Sequence, residues 1–170
     1  MASKRKFHVL VVDNGEDMLT TTTSMLEQLG CSTQGETASL AGLKTFSEDP
    51  DKFDLAIVEP AMPGQKVPEN AIPGSMRRGS PVTAELTGLE LAVRFRRIRP
   101  DLPILLHTGD IKQPLAEEIK AAGFGKAALK PKGLKKLKET LKEGLRSYPS
   151  RTRQCRVFPN ARDGRQKPSY

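Results

Sequence analysis

The sequence predicts an α/β fold, a doubly wound five-stranded parallel sheet with helices on both faces. Three observations carry this. Short β-branched and aliphatic runs alternate five times with segments whose apolar residues recur at helical spacing, and such alternation builds a parallel sheet covered by crossover helices. Glycine and proline punctuate the junctions, as at Gly30, Pro100 and Gly123. Four apolar runs give way to Asp13, Glu59, Thr108 and Lys130, at the strand ends where parallel sheets collect their function.

The elements follow in order. Residues 8–12 are a first buried strand closed by Asp13-Asn14-Gly15. Residues 16–29 set Met18, Leu19, Met25, Leu26 and Leu29 on a helical repeat with Gly30 as its stop. The tract from Thr20 to Thr23 is poor helix material, because β-branched side chains lose rotamer freedom there. Residues 31–35 form a weak second strand, and residues 37–47 a helix with Leu40, Leu43 and Phe46 inward. Residues 55–58 are a wholly apolar third strand. Residues 89–97 set Leu89, Ala92, Val93 and Phe95 against Arg94, Arg96 and Arg97, and Pro100 ends that helix. Residues 104–106 are a fourth strand closed by His107-Thr108-Gly109. Residues 114–122 are a helix with proline at its start and Gly123 after its end. Residues 126–129 make the fifth strand. Leu134, Leu137, Leu141 and Leu145 stripe a last helix whose other face is lysine-rich. His8 and His107 read as packing or hydrogen-bonding groups.

At 170 residues the chain holds one domain, residues 1–146, and an appendage, residues 147–170. With aromatics at 5% and no Trp, the core rests on Leu, Ile, Val, Ala and Met. Cys31 and Cys155 have neither CxxC nor metal-ligand spacing and read as thiols of a reducing compartment. The apolar run after the basic start is too short for a signal peptide or a membrane span, so the expectation is a cytoplasmic chain with no membrane partner. No Ser/His/Asp triad, zinc spacing or Gly-rich phosphate loop stands out, and the chain reads as a non-enzymatic module. Its net charge of +8 is uneven: residues 1–125 carry 14 Lys/Arg against 17 Asp/Glu, residues 126–170 carry 14 against 3. A basic quarter of this kind is either a solvated face and polar tail or a docking surface for an acidic partner. The tail is rich in Arg, Pro, Ser and Gly and holds no helix-turn-helix, so disorder is its default. Residues 65–86 contain Pro68, Pro73, Pro81 and the pair Arg77-Arg78 without periodicity. Leaving from beside Glu59, this stretch is a lid, a docking peptide or a tolerated surface excursion.

The sequence resembles response-regulator receiver domains, the phosphoryl-accepting modules of two-component signalling, over residues 7–146. The matching motifs are Val9-Leu-Val-Val-Asp13, Phe53-Asp-Leu-Ala-Ile-Val-Glu59 with Met62-Pro63-Gly64, Thr87-Gly-Leu-Glu-Leu, Arg99-Pro-Asp-Leu-Pro-Ile-Leu-Leu with Thr108-Gly109, Ala121-Ala-Gly, and Lys130-Pro131. The resemblance implies a flavodoxin-like strand order 2-1-3-4-5. It also implies a Mg²⁺ site at Asp13, Asn14, Glu59 and the backbone carbonyl of Ala61, an acceptor position at 59, and phosphoryl or switch contacts from Thr108, Lys130 and Ala127. Lys130-Pro131 is by resemblance a candidate cis bond.

The chain departs from the family where the chemistry happens. Glu59 replaces the acceptor Asp, Asn14 the second metal-binding acid, Ala127 the switch aromatic, and residues 65–86 interrupt the usual connection. One extra methylene carries the Glu59 carboxylate about 1.5 Å farther from the backbone, toward Thr108 and Lys130, while phosphoryl transfer depends on positioning. Asn14 removes charge from a site that holds its metal electrostatically. The expectation is weak or absent Mg²⁺, little phosphorylation, and a Glu59–Lys130 ion pair in the metal's place. Such a module signals by protein contact. Its partner is an acidic protein surface or a second copy, met through the fourth and fifth helices and Lys135, Lys136, Lys138 and Lys142, with a histidine kinase as candidate upstream partner. The alternatives are an active phosphoacceptor, or a nucleic-acid-binding regulator built on the basic tail; nucleic acid is the less favoured partner.

Overall fold

Why these runs become strands is plain from their depth. Val9, Leu10, Val11 and Val12 are buried, as are Leu55, Ala56, Ile57 and Val58, so both runs are continuous apolar segments suited to the middle of a parallel sheet. In this computed structural model, which describes residues 6–68, 70, 72, 83–125 and 127–146, they are the central strands β1 (His8–Val12) and β3 (Leu55–Val58). Strand β2 (Ser32–Glu36) pairs parallel with β1 from His8↔Ser32 to Val12↔Glu36. Strand β6 (Ile104–Thr108) pairs with β3, and the two-residue β7 (Ala128–Leu129) with β6. The order β2-β1-β3-β6-β7 is the expected one once the inserted strands are set aside.

Strand periodicity splits the core in two. Leu10, Val12, Ala56 and Val58 cluster with Leu43 and Phe46 of α2 (Ser39–Glu48) and Leu91 and Phe95 of α3 (Gly88–Ile98). Val9, Val11, Leu55 and Ile57 cluster with Met25 and Leu26 of α1 (Glu16–Gln28) and Leu137 and Leu141 of α5 (Leu134–Gly144). Ile119 of α4 (Leu115–Ala121) joins the first cluster. The threonine tract stays helical, with Thr22 buried and the Thr23 hydroxyl donating to the Leu19 carbonyl at 2.9 Å. Gly30 ends α1 at φ +84°, a region that disfavours any residue with a Cβ. No helix among the described residues is long and apolar enough to cross a membrane.

Two expectations need correction. Residues 65–86 are not a loop throughout: β4 (Gln65–Pro68) and β5 (Thr83–Leu86) pair antiparallel from Gln65↔Leu86 to Pro68↔Thr83. Val67, Ile72 and Leu86 are buried in the first cluster, and the Gln65 side-chain oxygen accepts from the Leu40 N–H at 2.9 Å. This satisfies a donor at the start of α2, where the N-cap residue Ala38 has no side-chain oxygen to offer. Arg77, Arg78 and the tail 147–170, with Cys155, lie outside the described residues. Among the described residues the cis X-Pro bond is Gln113–Pro114, not Lys130–Pro131; Lys130 is held by its N–H donating to the Thr108 carbonyl at 2.8 Å.

Candidate functional site

The parallel ladder brings the four strand-end residues to one edge. The Glu59 N–H donates to the Val12 carbonyl at 2.9 Å, and the Asp13 N–H to the Glu36 carbonyl at 3.0 Å. These bonds set both carboxyl groups just past the sheet. Each is largely withdrawn from water, Asp13 being 5% and Glu59 7% exposed. One oxygen of each is fixed by a nearby backbone N–H: Asp13 Oδ1 accepts from Gly15 and Glu59 Oε1 from Ala61, both at 2.9 Å. The remaining oxygens face the same cation. Lys130 Nζ lies 2.6 Å from Asp13 Oδ2 and 3.0 Å from Glu59 Oε2.

Charge-assisted contacts this short are the strong kind. Burial alone would lower the pKa of Lys130, but the hydrogen bonds and charges of Asp13 and Glu59 outweigh it and hold the ammonium above the usual lysine range. The expected Glu59–Lys130 pair therefore forms, and Asp13 completes a bridge that sequence reasoning did not specify. Its signal was the Asp13-Asn14-Gly15 turn, where the second amide beyond an aspartate returns to its carboxylate.

The other expected residues take no part in that bridge. Thr108 is buried, but its hydroxyl donates to the Asp110 carbonyl at 3.1 Å and accepts from the Asp110 N–H at 3.4 Å. Asn14 is exposed. Ala61 contributes its N–H to Glu59, and Ala127 is buried in the first core cluster. No group of three or more His, Cys, Asp or Glu gathers as a metal site among the described residues.

Two features of the surroundings were not read from the sequence. His107, beside the cluster, is 3% exposed and its Nε2 has no hydrogen-bond partner among the described residues. Burial first and then the Lys130 charge lower its pKa to about 4, against a smaller opposing pull from Asp13. Gly88 lies so close to the site strand that a Cβ there would meet the Glu59 carbonyl oxygen at 1.9 Å. The Thr87-Gly88 pair that opens α3 is thus fitted against the turn holding Glu59, with the Thr87 hydroxyl capping the helix by accepting from the Glu90 N–H at 3.1 Å.

No protein-family model and no curated protein matches the chain. Solved structures do. A CheY-like response-regulator receiver domain protein from Methanospirillum hungatei JF-1 superposes with a TM-score of 0.63 at 21% identity, covering 86% of this chain and 98% of that one. A receiver domain protein from Clostridium thermocellum gives 0.62 at 18%, covering 85% and 98%. The chemotaxis protein CheY4 of Vibrio cholerae gives 0.62 at 22%, covering 83% and 100%. At these identities the likeness is one of fold, and the fold is the CheY-like, flavodoxin-type α/β fold of receiver domains.

Proposed function

We propose that this chain is a receiver-like module of two-component signalling that works by protein contact, with its phosphoryl-accepting chemistry impaired or absent. The observation that carries the reading is the Lys130 ammonium bridging Asp13 and Glu59. In the receiver scheme a cation must bind between the acids and a carboxylate oxygen must attack phosphorus. Here an internal cation already contacts the facing oxygen of each acid, and the other oxygens hold backbone N–H groups. Mg²⁺ requires near-octahedral oxygen coordination, whereas this site offers two engaged carboxylates and a neutral, exposed Asn14. That donor set does not fit Mg²⁺. The Thr108 hydroxyl supports the same reading, since it is satisfied by its own turn.

The partner face belongs to α4 and α5. Lys135, Lys136, Lys138 and Lys142 are exposed on α5, and Leu129 and Ile111 on neighbouring segments are 58% and 39% exposed. An exposed lysine-bearing helix, with exposed apolar side chains on other segments, suits an acidic protein surface or a second copy that presents one. The test of the site is treatment of the full chain with acetyl phosphate and Mg²⁺ followed by phosphate-affinity electrophoresis. The expected result is no shifted band; stoichiometric, hydroxylamine-labile labelling at Glu59 would establish an active phosphoacceptor instead.

A further inference from the structure

Of the two edge strands of the main sheet, β2 is the longer among the described residues. It runs from Ser32 to Glu36 in one-to-one register with β1, without a bulge. On its outer side no strand lies beside it among the described residues. The ladder fixes which backbone groups face outward. The Ser32 N–H donates to the Phe7 carbonyl at 2.9 Å, and the Glu36 carbonyl accepts from the Asp13 N–H at 3.0 Å. Ser32, Gln34 and Glu36 therefore turn their backbone groups toward β1, and those of Thr33 and Gly35 point away from the sheet. Exposed edges are commonly blunted by lysine, proline or a bulge, and Ser32-Thr-Gln-Gly-Glu36 carries none of these.

We propose that this edge is an interface between two copies of the chain, joined antiparallel about a two-fold axis at Gln34 into one continuous sheet. Backbone pairing is the first argument. This register sets Thr33 against the partner's Gly35 and Gly35 against the partner's Thr33, and each such pair exchanges both of its N–H···O bonds. An axis at Thr33 or at Gly35 would leave half of those bonds unmade within the strand. Charge is the second argument. The Thr45 hydroxyl donates to Glu36 Oε1 at 2.7 Å, which places Glu36 on the α2 side of the sheet, and Gln34 shares that face. Lys52 Nζ donates to Gln34 Oε1 at 2.9 Å. It reaches Gln34 from the Ser32 end, because the Asp54 N–H donates to the carbonyl of His8, the residue in register with Ser32. In the proposed register Ser32 lies opposite the partner's Glu36. Each Lys52 then stands beside the partner's Glu36, and the two-fold axis makes that pair twice. Opposite charges across a strand pair stabilise it and like charges do the reverse. On the other face the Thr33 hydroxyl donates to Glu27, and the partner's Gly35 brings no side chain against it. Strands β2 and β7 are opposite edges of the sheet, so this contact does not rest on the α5 face.

Analytical ultracentrifugation of the full chain at about 150 mM salt should show its average mass rising with concentration toward two chains and no further, as a closed two-fold contact requires. Lys52→Glu and Glu36→Lys each set like charges together at both ends of the seam and should weaken dimerisation about tenfold or more. An equimolar mixture of the two variants restores both opposite-charge pairs and should dimerise as the parent does. Thr33→Pro, checked for folding by circular dichroism, removes a donor that faces out of the sheet and spares the ladder to β1. It should leave a monomer, and it tests the seam even if Glu36→Lys fails to fold. A parent that stays monomeric up to about 1 mM overturns the proposal. So does growth beyond two copies, a dimer unmoved by Lys52→Glu and by a folded Thr33→Pro, or a mixture of the two folded charge variants that associates no better than either alone.

Discussion

Lys130 is the cation on which two largely buried carboxylates depend. A buried ion pair gains little over an apolar replacement of the whole pair, but removing one partner leaves uncompensated charge. Lys130→Met would leave Asp13 and Glu59, two largely buried carboxylates, without their shared cation. The expected cost is about 3–5 kcal/mol by the precedent of broken buried pairs, read from urea unfolding at neutral pH; a change below 1 kcal/mol would mean that the bridge does not form in solution. His107 gives a second residue-scale expectation. Burial and the Lys130 charge lower its pKa to about 4 in the folded protein, against the usual 6.5 of a histidine. Between those values the unfolded chain binds a proton that the folded one refuses, so stability falls as pH drops from about 6.5 to about 4 and this contribution then levels off. The whole span is worth about 3 kcal/mol. Unfolding curves at several pH values across that window should show His107→Leu losing that much less than the parent; equal losses would show that His107 takes up its proton as readily folded as unfolded.

At the scale of elements, the approach of α3 to the end of β3 decides where Glu59 sits. The atoms that a Cβ at Gly88 would meet are Glu59 O at 1.9 Å, Glu59 C at 3.0 Å and Pro60 Cα at 3.1 Å, all backbone. No rotamer change relieves such a clash, so the strand exit or the helix must move. Gly88→Ala is expected to cost about 3 kcal/mol, the upper part of the usual overpacking range, measured by denaturant unfolding; a loss within 0.5 kcal/mol, the scatter of ordinary surface substitutions, would show that the contact relaxes freely. The five strands of the main sheet and the five helices were legible in the sequence because β1 and β3 are unbroken apolar runs, α5 carries an undiluted repeat of period 3.6, and Gly30 and Gly123 mark where helices stop. The hairpin of β4 and β5 was not. Its buried residues Val67, Ile72 and Leu86 are spread through a proline-rich stretch, too sparsely to show a period, and the Gln65–Leu40 bond joins residues 25 apart. The same division holds at the site. Asp13, Glu59 and Lys130 were legible as strand ends, whereas the engagement of Thr108 by Asp110 depends on a local turn that no apolar pattern reports.

The whole molecule is a nearly balanced acidic body joined to a basic end, and that asymmetry is the feature most easily mistaken for nucleic-acid binding. Of the 14 Lys/Arg in residues 126–170, six lie in residues 147–170, beside one Asp. Such charge attracts any polyanion at low salt, because neutralised phosphates release counterions. Affinity alone therefore does not distinguish a protein-docking face from a nucleic-acid site; affinity at physiological salt and its location in the chain do. If α5 docks an acidic protein surface, a 20-base-pair DNA duplex followed by fluorescence anisotropy should bind only non-specifically, at about 10 µM or weaker near 150 mM salt. Deleting residues 147–170, which carry six Lys/Arg against one Asp, should abolish most of that binding, while neutralising Lys135, Lys138 and Lys142 to Gln should affect it less, since that removes only three positive charges. Sub-micromolar affinity at 150 mM salt, lost on neutralising the α5 lysines and kept on tail deletion, would move the molecule from protein contact to nucleic-acid recognition by its folded face.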